Sequence, residues 1–307
     1  MNQRPPVVNQ EKVWHKAPIV FQGQKRFFIK ETLDFLRKVI SNDGEGYTII
    51  DLFGGSGLLA HNAKRAFPQA RVIFNDYDNV TDRIKKLSIA IDNWHAIEAI
   101  RSSYEANLPA KLKRDQSVKD KRLIEPVLAY IENTPAAYLS LSHLSSWLCF
   151  SAKISVTKED LIKRIKSGIF WRFPLSPPPL ADDYLDGLEI TCKDFRELLD
   201  EFEQQPNLVL LCDPPYLWTS SDGYKEPNRF GITDFLELML KVKPPFLMFE
   251  TAKSQVMAVA RCFVQYRLQN WQSWVDCHTF AKSANTSGYD KRTETVIYNI
   301  SGSNNDR

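Results

Sequence analysis

One segment of the chain predicts its fold: Tyr47-Thr48-Ile49-Ile50-Asp51-Leu52-Phe53-Gly54-Gly55-Ser56-Gly57. The apolar run 47–50 predicts a short buried strand, the glycines after it predict a tight turn, and residues 58–66 predict a helix. A second apolar run, 71–74, predicts the next strand, which leads to Asp76. Strand, turn, helix and strand in this order form a βαβ unit, which implies a parallel sheet.

The regions on either side of this unit extend the same pattern. Residues 26–40 have apolar groups at helical spacing, and 207–212 and 246–249 are predicted to be further strands. The runs 275–280 and 295–299 predict an antiparallel pair at one edge of the sheet. We therefore predict the α/β class, with a mostly parallel sheet and an antiparallel edge strand.

The middle of the chain does not continue this pattern. Helical patches, a charged run at 111–122 and a proline run at 177–179 replace the alternation of strands and helices. We predict that residues 95–187 form an inserted, mainly helical domain. Residues 1–94 and 188–307 are predicted to form the α/β domain together.

The composition is typical of a soluble globular protein. The 307 residues carry a net charge of +3, which is compatible with a nucleic-acid partner but does not argue for one. Five scattered cysteines without a C-x-x-C pair favour reduced thiols, and the five histidines have no metal-ligand spacing. No apolar run reaches membrane-spanning length, and the N-terminus lacks a signal-peptide core. We therefore expect a cytoplasmic protein without a membrane partner or a bound metal.

A catalytic corner is predicted where Asp213-Pro214-Pro215-Tyr216 follows the apolar run 208–212. Open α/β sheets bind their ligands at the carboxyl ends of strands. The two prolines fix φ, so the carboxylate of Asp213 and the ring of Tyr216 belong to a stiff turn. Such a corner can accept hydrogen bonds from the amino group of a planar base and can stack on that base. The alternative is an ordinary strand-ending turn, since proline and aspartate favour turns.

The glycine turn favours a cationic ligand. Glycines let the backbone turn tightly and approach a ligand closely, and the next helix offers free N–H groups. The turn has neither the G-x-G-x-x-G pattern nor that of a phosphate-binding loop, and Asp51 would repel a phosphate. An acid there suits an ammonium or a sulfonium. Asp76, nineteen residues after Gly57, is placed like the ribose-binding acid of dinucleotide folds. A plain strand–helix turn is the alternative.

Several segments, taken in order, resemble the Dam-like (D12 class) DNA adenine methyltransferases. They are 21–26, with Gln24 in place of a glycine, 51–57, 75–76, 192–195, 213–216 and 294–299. The resemblance implies a Rossmann-like methyltransferase sheet, S-adenosylmethionine as cofactor, and a target-recognition module at 95–187. It assigns catalysis to Asp213, Pro214, Pro215 and Tyr216, and cofactor binding to Gln22, Lys25, Asp51, Phe53, Gly54, Gly55, Gly57, Asp76, Asp194 and Phe195.

The resemblance also implies a reaction. The sulfonium of the cofactor already activates the methyl group, so the protein has to position the partners. Hydrogen bonds from the adenine amino group to Asp213 and to the Pro214 carbonyl would free the nitrogen lone pair for in-line transfer. Tyr216 would stack on the base, which must first be flipped out of the duplex. Aspartate at 213 favours adenine, because serine is common there in relatives that modify cytosine.

The inserted domain is predicted to hold double-stranded DNA. The candidates for DNA contacts are basic or aromatic side chains: Lys111, Lys113, Arg114, Lys121, Arg122, Trp171 and Arg172. Phosphate contacts of this kind give affinity without sequence information. The alternatives are a solvated face for 111–122 and a core position for the aromatic residues. The polar, glycine-bearing loop 217–230 is predicted to be a flap over the site, and a surface loop without a role is the alternative.

Other functions are compatible with parts of this pattern. An RNA adenine methyltransferase would keep the same pocket, and a catalytically silent nucleic-acid binder could keep the fold. A protein glutamine methyltransferase would usually have asparagine at 213, and a nicotinamide dehydrogenase would leave 213–216 unexplained. The resemblance further implies a monomer, and it leaves a cognate restriction endonuclease open as a partner.

Overall fold

The computed structural model describes residues 14–21, 23–108, 111–150, 154–216, 230–251, 255–287 and 290–301. Within these residues the chain forms two compact units. The sheet unit comprises 14–17, 23–80 and 185–301, and the helical unit comprises 18–21 and 81–184. The units divide at 80/81 and 184/185, and the functional domain boundaries at 94/95 and 187/188 stay a prediction.

A seven-stranded sheet organises the sheet unit. The strands of the described residues are β1 Thr48–Asp51, β2 Arg71–Asn75, β3 Gln116–Val118, β4 Ile169–Trp171, β5 Leu188–Thr191, β6 Leu208–Cys212, β7 Phe246–Thr251, β8 His278–Ser287 and β9 Asp290–Asn299. The sheet has the order β5-β2-β1-β6-β7-β9-β8. The first five strands are parallel, whereas β9 is antiparallel to β7 and β8 is antiparallel to β9. This confirms the predicted α/β class with its antiparallel edge.

Helices cover both faces of this sheet. The α-helices of the described residues are α1 Ile29–Val39, α2 Leu58–Ala66, α3 Val80–Lys85, α4 Leu87–Glu105, α5 Lys121–Asn133, α6 Leu141–Leu148, α7 Lys158–Lys166, α8 Phe195–Glu201, α9 Ile232–Lys241 and α10 Val256–Gln265. Successive strand residues point to opposite faces, so the fully buried β1 needs a layer on each side. α2 packs on β1, β2 and α1, while α8, α9 and α10 share a core with Ile50, Leu210 and Met248. None of the described helices is long and apolar enough to cross a bilayer.

The helical unit has an apolar core of its own. The helices α4, α5, α6 and α7 surround it together with the antiparallel pair of β3 and β4. Each of these helices, and β4, supplies at least one buried side chain, among them Trp94, Leu123, Leu144, Leu161 and Trp171. This unit is mainly helical, as predicted for the middle of the chain.

Two predicted elements begin later than expected. α1 begins at Ile29 rather than at 26, because the backbone first makes a turn in which Phe28 N donates to Lys25 O. β8 begins at His278 rather than at 275, since a 3-10 turn precedes it and Asp276 has a left-handed φ of 57°. Local turns of this kind override an apolar pattern at its ends.

Candidate active site

Three neighbouring parallel strands in the middle of the sheet bring acidic residues together at their carboxyl ends. β6 lies between β1 and β7. Asp51 ends β1, Asp213 follows β6, and Glu250 lies near the end of β7. The carboxyl ends of parallel strands are the place where open α/β sheets bind ligands. The candidate site therefore lies at the carboxyl ends of β1, β6 and β7.

The glycine turn after β1 is shaped by its approach to β2. Gly57 has a left-handed φ of 74° at the start of α2, and Gly55 has a φ of 51°. A Cβ on Gly54 would lie 2.3 Å from a ring carbon of Phe74 and 2.6 Å from the backbone oxygen of Asn75. Glycine is thus required at 57 by the backbone conformation and at 54 by close packing.

Asn75 connects the loops behind this turn. Its side chain is buried, and its Nδ2 donates to Leu52 O at 3.0 Å and to Lys193 O at 2.9 Å. Its Oδ1 accepts from Lys193 N at 3.0 Å. The next residue, Asp76, is also buried and accepts from Val80 N at 2.6 Å. The sequence predicted a role for Asp76, whereas the bridging amide of Asn75 becomes visible only in the fold.

The carboxylate of Asp51, at the end of β1, has one oxygen without a hydrogen-bond partner among the described residues. Its side chain is 1% exposed, and its Oδ2 accepts from Ala60 N at 3.1 Å. Its Oδ1 is buried and has no hydrogen-bond partner among the described residues. Burial raises the pKa of Asp51 to about 7 and the charge of Asp213 adds to the rise, against the opposing effects of the Ala60 hydrogen bond and of Lys25. A buried carboxylate oxygen of this kind favours a cationic ligand.

Lys25 holds the carboxylate of Asp213. The Nζ of Lys25 lies 2.7 Å from Asp213 Oδ2, and it also lies 5.2 Å from the centroid of the Tyr216 ring. Lys25 is 4% exposed, and its Nζ also donates to Gly23 O at 3.0 Å and lies 4.0 Å from Glu294 Oε2. Burial raises the pKa of Asp213, and the ammonium of Lys25 opposes that rise. The sequence grouped Lys25 with the cofactor residues, but the structure brings it to the predicted catalytic carboxylate.

Glu250 belongs to the same cluster, although sequence reasoning gave it no role. Its side chain is buried, and its Oε1 accepts from Thr251 N at 2.9 Å. Burial raises the pKa of Glu250 to about 7, and the charge of Asp213 adds to the rise. An acid at the end of a strand was the available signal, but the predicted strand stopped at 249, before this residue.

Three phenylalanines pack together beside the glycine turn. The ring centroid of Phe53 lies 5.6 Å from that of Phe195 and 5.7 Å from that of Phe230. Phe195 is largely buried in the core. Asp194 was predicted to bind the cofactor with Phe195, and in the structure it caps α8, accepting from Arg196 N at 2.9 Å. The carboxylate of Asp194 therefore already has a structural role.

The predicted DNA-contact residues all lie in the helical unit, where their exposure differs. Five basic side chains are exposed: Lys111, Lys113, Arg114, Lys121 and Arg122. Arg172 is 37% exposed and pairs with Asp115 at 2.8 Å. Trp171 is 3% exposed and packs against Phe173 in the core. This burial contradicts the DNA contact predicted for Trp171, because an enclosed ring cannot reach a base. Gln22 and the flap residues 217–229 lie outside the described residues.

The arrangement can combine charge binding with hydrogen-bond acceptance. Asp51 offers a buried oxygen without a hydrogen-bond partner among the described residues, and Asp213 offers a carboxylate that Lys25 holds in place. In the part of the chain that the structure describes, no group of three or more His, Cys, Asp or Glu side chains could hold a metal ion. The carboxyl ends of these strands are thus suited to bind a cationic organic ligand next to a second group that donates amino hydrogens.

Comparison with known proteins agrees with this chemistry. The sequence model of the D12 class N6 adenine-specific DNA methyltransferase family matches residues 22–234, which include the glycine turn and the Asp213 corner. A Haemophilus influenzae (strain KW20 / Rd) protein named "Putative methyltransferase" is 32% identical over 290 residues, covering 94% of this chain and 93% of that protein. The solved structure of precorrin-6y C5,15-methyltransferase from Geobacter metallireducens GS-15 covers 97% of this chain and 100% of its own. Its identity is 9% and its TM-score is 0.35, which is too low to show a common fold.

Proposed function

The chain belongs to the D12 class N6 adenine-specific DNA methyltransferase family, and from this premise we propose that it moves a methyl group from S-adenosylmethionine to the amino group of a flipped adenine in DNA. One observation carries the proposal. Asp213, paired with Lys25 at the corner after β6, follows the strand that pairs with β1, where Asp51 lies opposite Leu211 and has a buried oxygen without a partner among the described residues. Asp213 can therefore accept amino hydrogens, and Asp51 can bind a cation, at the carboxyl ends of two adjacent strands.

S-adenosylmethionine fits the residues that follow β1 and β2. It carries an ammonium and a sulfonium charge, and the buried Oδ1 of Asp51 is an acceptor without a partner in the described part of the chain. The glycine turn allows a ligand to approach the backbone closely. Phe53 and Phe195 would supply apolar surface for the adenine ring, and Asp76 would accept from the ribose hydroxyls. When bound, the cofactor supplies an activated methyl group, and these residues orient it.

Asp213 would accept a hydrogen bond from the target amino group. Its carboxylate is already oriented by Lys25, so little reorganisation is needed when the base arrives. The Pro214 carbonyl would accept the second amino hydrogen, and the Pro214-Pro215 pair keeps both acceptors in place. The nitrogen lone pair is then available for in-line transfer. Asp213 is also placed to accept the proton that the nitrogen loses, and Tyr216 would stack on the base.

DNA is the proposed macromolecular substrate, and the helical unit is the proposed target-recognition part. Residues 81–184 contain sixteen Lys and Arg against twelve Asp and Glu, a local excess of positive charge that supports a polyanionic partner. Exposed basic side chains at 111–122 are available for phosphate contacts. Flipping removes the adenine from the stack and exposes its amino group. A monomer, a cognate restriction endonuclease and a cytoplasmic location stay predictions.

Methyl transfer to DNA adenine is expected to be directly measurable. The full-length protein would be incubated with methyl-labelled S-adenosylmethionine and either DNA or RNA that lacks methylated adenine. After digestion to nucleosides, mass spectrometry should find label in the N6-methyladenine of DNA. Label in RNA alone would replace the proposed substrate, and cofactor binding without transfer to either would indicate a catalytically silent binder.

Cofactor binding is expected to release protons near neutral pH. The pKa of Asp51 is about 7 without a ligand, so its carboxyl is partly protonated there. A bound ammonium or sulfonium would favour the carboxylate and lower that pKa. Calorimetric titrations with S-adenosylmethionine in phosphate and in Tris, both near neutral pH, should therefore give different enthalpies. The difference should vanish in Asp51→Asn, which should also bind more weakly.

Equal enthalpies in the two buffers would contradict an ionising Asp51 at the cofactor site. Stability provides an independent check of its pKa. Because the pKa of Asp51 in the folded protein lies above the ordinary aspartate value of 3.8, its contribution to stability falls as the pH rises from 3.8 to about 7. Without cofactor, Asp51→Asn should therefore gain thermal stability relative to wild type at alkaline pH and not in acid.

A further inference from the structure

The helical unit has an aromatic side chain that its core does not take up. Trp94, Trp147, Trp171 and Phe173 are buried against one another. Phe150, two residues beyond the end of α6, is 70% exposed. Single exposed apolar residues are common on proteins. Exposure alone therefore decides nothing, and the neighbours of Phe150 carry the argument.

Phe150 belongs to a cluster with Phe170 and Arg172, here named the Phe150 surface. The rings of Phe150 and Phe170 meet edge to face, with centroids 4.9 Å apart and an interplanar angle of 77°. The guanidinium of Arg172 lies 4.8 Å from the centroid of the Phe170 ring. Asp115 accepts from Arg172 Nε at 2.8 Å and so orients this guanidinium. Two rings and a cation thus form one ordered cluster.

Hydrogen bonds fix the backbone that carries this surface. Arg164, on α7, donates from its Nη2 to Phe150 O at 3.2 Å and from its Nη1 to Ser155 Oγ at 3.0 Å. Arg172 N donates to Trp147 O at 2.7 Å. The first two bonds tie the residues after α6 to α7, and the third ties α6 itself to Arg172, just beyond β4. The exposed ring of Phe150 is therefore presented by a scaffold, as is typical of an interaction surface.

The charges around the Phe150 surface fit a nucleic acid. Asp115 N donates to Trp171 O at 2.8 Å, so the basic segment 111–114 leads directly to the strand that pairs with β4. Arg114 is 72% exposed, and its Nε lies 3.9 Å from the Asp115 carboxylate that also binds Arg172. In proteins that bind nucleic acids, aromatic side chains stack on bases while neighbouring arginines bind phosphates. A phosphate alone would not require the exposed ring.

We propose that the Phe150 surface binds DNA, with the Phe150 ring stacked on a base that has lost its neighbour and Arg114 beside the phosphate backbone. This rests on the DNA methyltransferase function proposed above, because flipping an adenine leaves a gap in the stack. The inference deepens that function by naming a base-stacking residue outside the catalytic corner. Phe150 takes the place of the buried Trp171 as the aromatic contact.

Binding to DNA with one unpaired base tests the proposal. Fluorescence anisotropy with full-length protein would compare a fully paired duplex with the same duplex carrying one bulged adenine. Phe150→Ala should lose about tenfold in affinity for the bulged duplex and less for the paired one. Phe150→Tyr, which keeps a π-face, should bind like wild type. Tyr138→Ala, which removes another aromatic residue of this unit at 65% exposure, is the matched control and should bind like wild type.

Phe150→Leu guards against an effect on folding, because it keeps apolar volume but has no ring. It should lose affinity as Phe150→Ala does while its thermal unfolding matches wild type. Equal affinity of wild type, Phe150→Leu and Phe150→Ala for the bulged duplex would overturn the proposal. An RNA duplex with the same bulge is a third probe, and tighter binding of it than of the bulged DNA would also overturn the proposal. If DNA adenine is methylated in the nucleoside assay but substitutions at Phe150 do not change the affinity for DNA, only the stacking proposal is wrong. If DNA is neither methylated nor bound, both proposals fall.

Discussion

Asp213→Ala is expected to lower the rate of methyl transfer to DNA by about a thousandfold or more, because a preorganised acceptor at the reacting nitrogen disappears. The fold should persist, since Lys25 keeps Glu294 as a neighbour at 4.0 Å. Cofactor binding should also persist, because Asp51 and the glycine turn are unchanged. Initial rates of label incorporation and a calorimetric titration with S-adenosylmethionine measure the two effects separately.

Two further variants separate the parts played by charge and shape at Asp213. Asp213→Asn keeps the shape but cannot pair with the ammonium of Lys25, and it should lose most of the activity. Lys25→Met removes the cation that opposes the raised pKa of Asp213. That pKa should rise further, so the acid side of the pH–rate profile should move to higher pH. Near-wild-type rates in Asp213→Ala would place the chemistry elsewhere, and an unmoved profile in Lys25→Met would remove the electrostatic role of the pair.

Gly54→Ala is expected to destabilise the sheet unit by about 3 kcal/mol, a large effect for one methyl group. The added Cβ would meet Phe74 ring carbons at 2.3 and 2.5 Å and the Asn75 backbone oxygen at 2.6 Å. Neither obstacle is the end of a flexible side chain, so the turn or β2 must shift. The midpoint of urea unfolding, followed by circular dichroism, should fall. Affinity for S-adenosylmethionine should fall as well, because the displaced turn is the proposed cofactor loop.

Gly231→Ala is the matched control for this substitution. Its added Cβ would meet only ordinary contact, with Asp234 Oδ2 at 3.6 Å, and the φ of Gly231 is −116°. As an N-cap position it should lose no more than a few tenths to about 1 kcal/mol. If the two variants unfold at the same urea concentration, close packing does not explain the glycine at 54.

Much of the fold follows from short-range patterns. The apolar run 47–50, the glycines at 54–57 and the helix at 58–66 were predicted close to their observed bounds, because period and turn chemistry act within a few residues. The same holds for the strand at 208–212. Their position at a sheet edge also followed, since parallel strands place their carboxyl ends together.

Contacts between distant segments could not be predicted in this way. No local pattern pairs Lys25 with Asp213 at 2.7 Å, links Asn75 to Lys193, or brings Glu250 into the same cluster. Nor does the aromatic run 169–173 reveal that Trp171 faces the core.

From the sequence alone follow the α/β class, the order of its elements and the strand ends at which the chemistry gathers, because each depends on the spacing of neighbouring residues. Only the tertiary structure decides which charges meet and which rings stay exposed. The pairing of Lys25 with Asp213, and the exposure of Phe150 in place of Trp171, arise from packing among residues far apart in the chain.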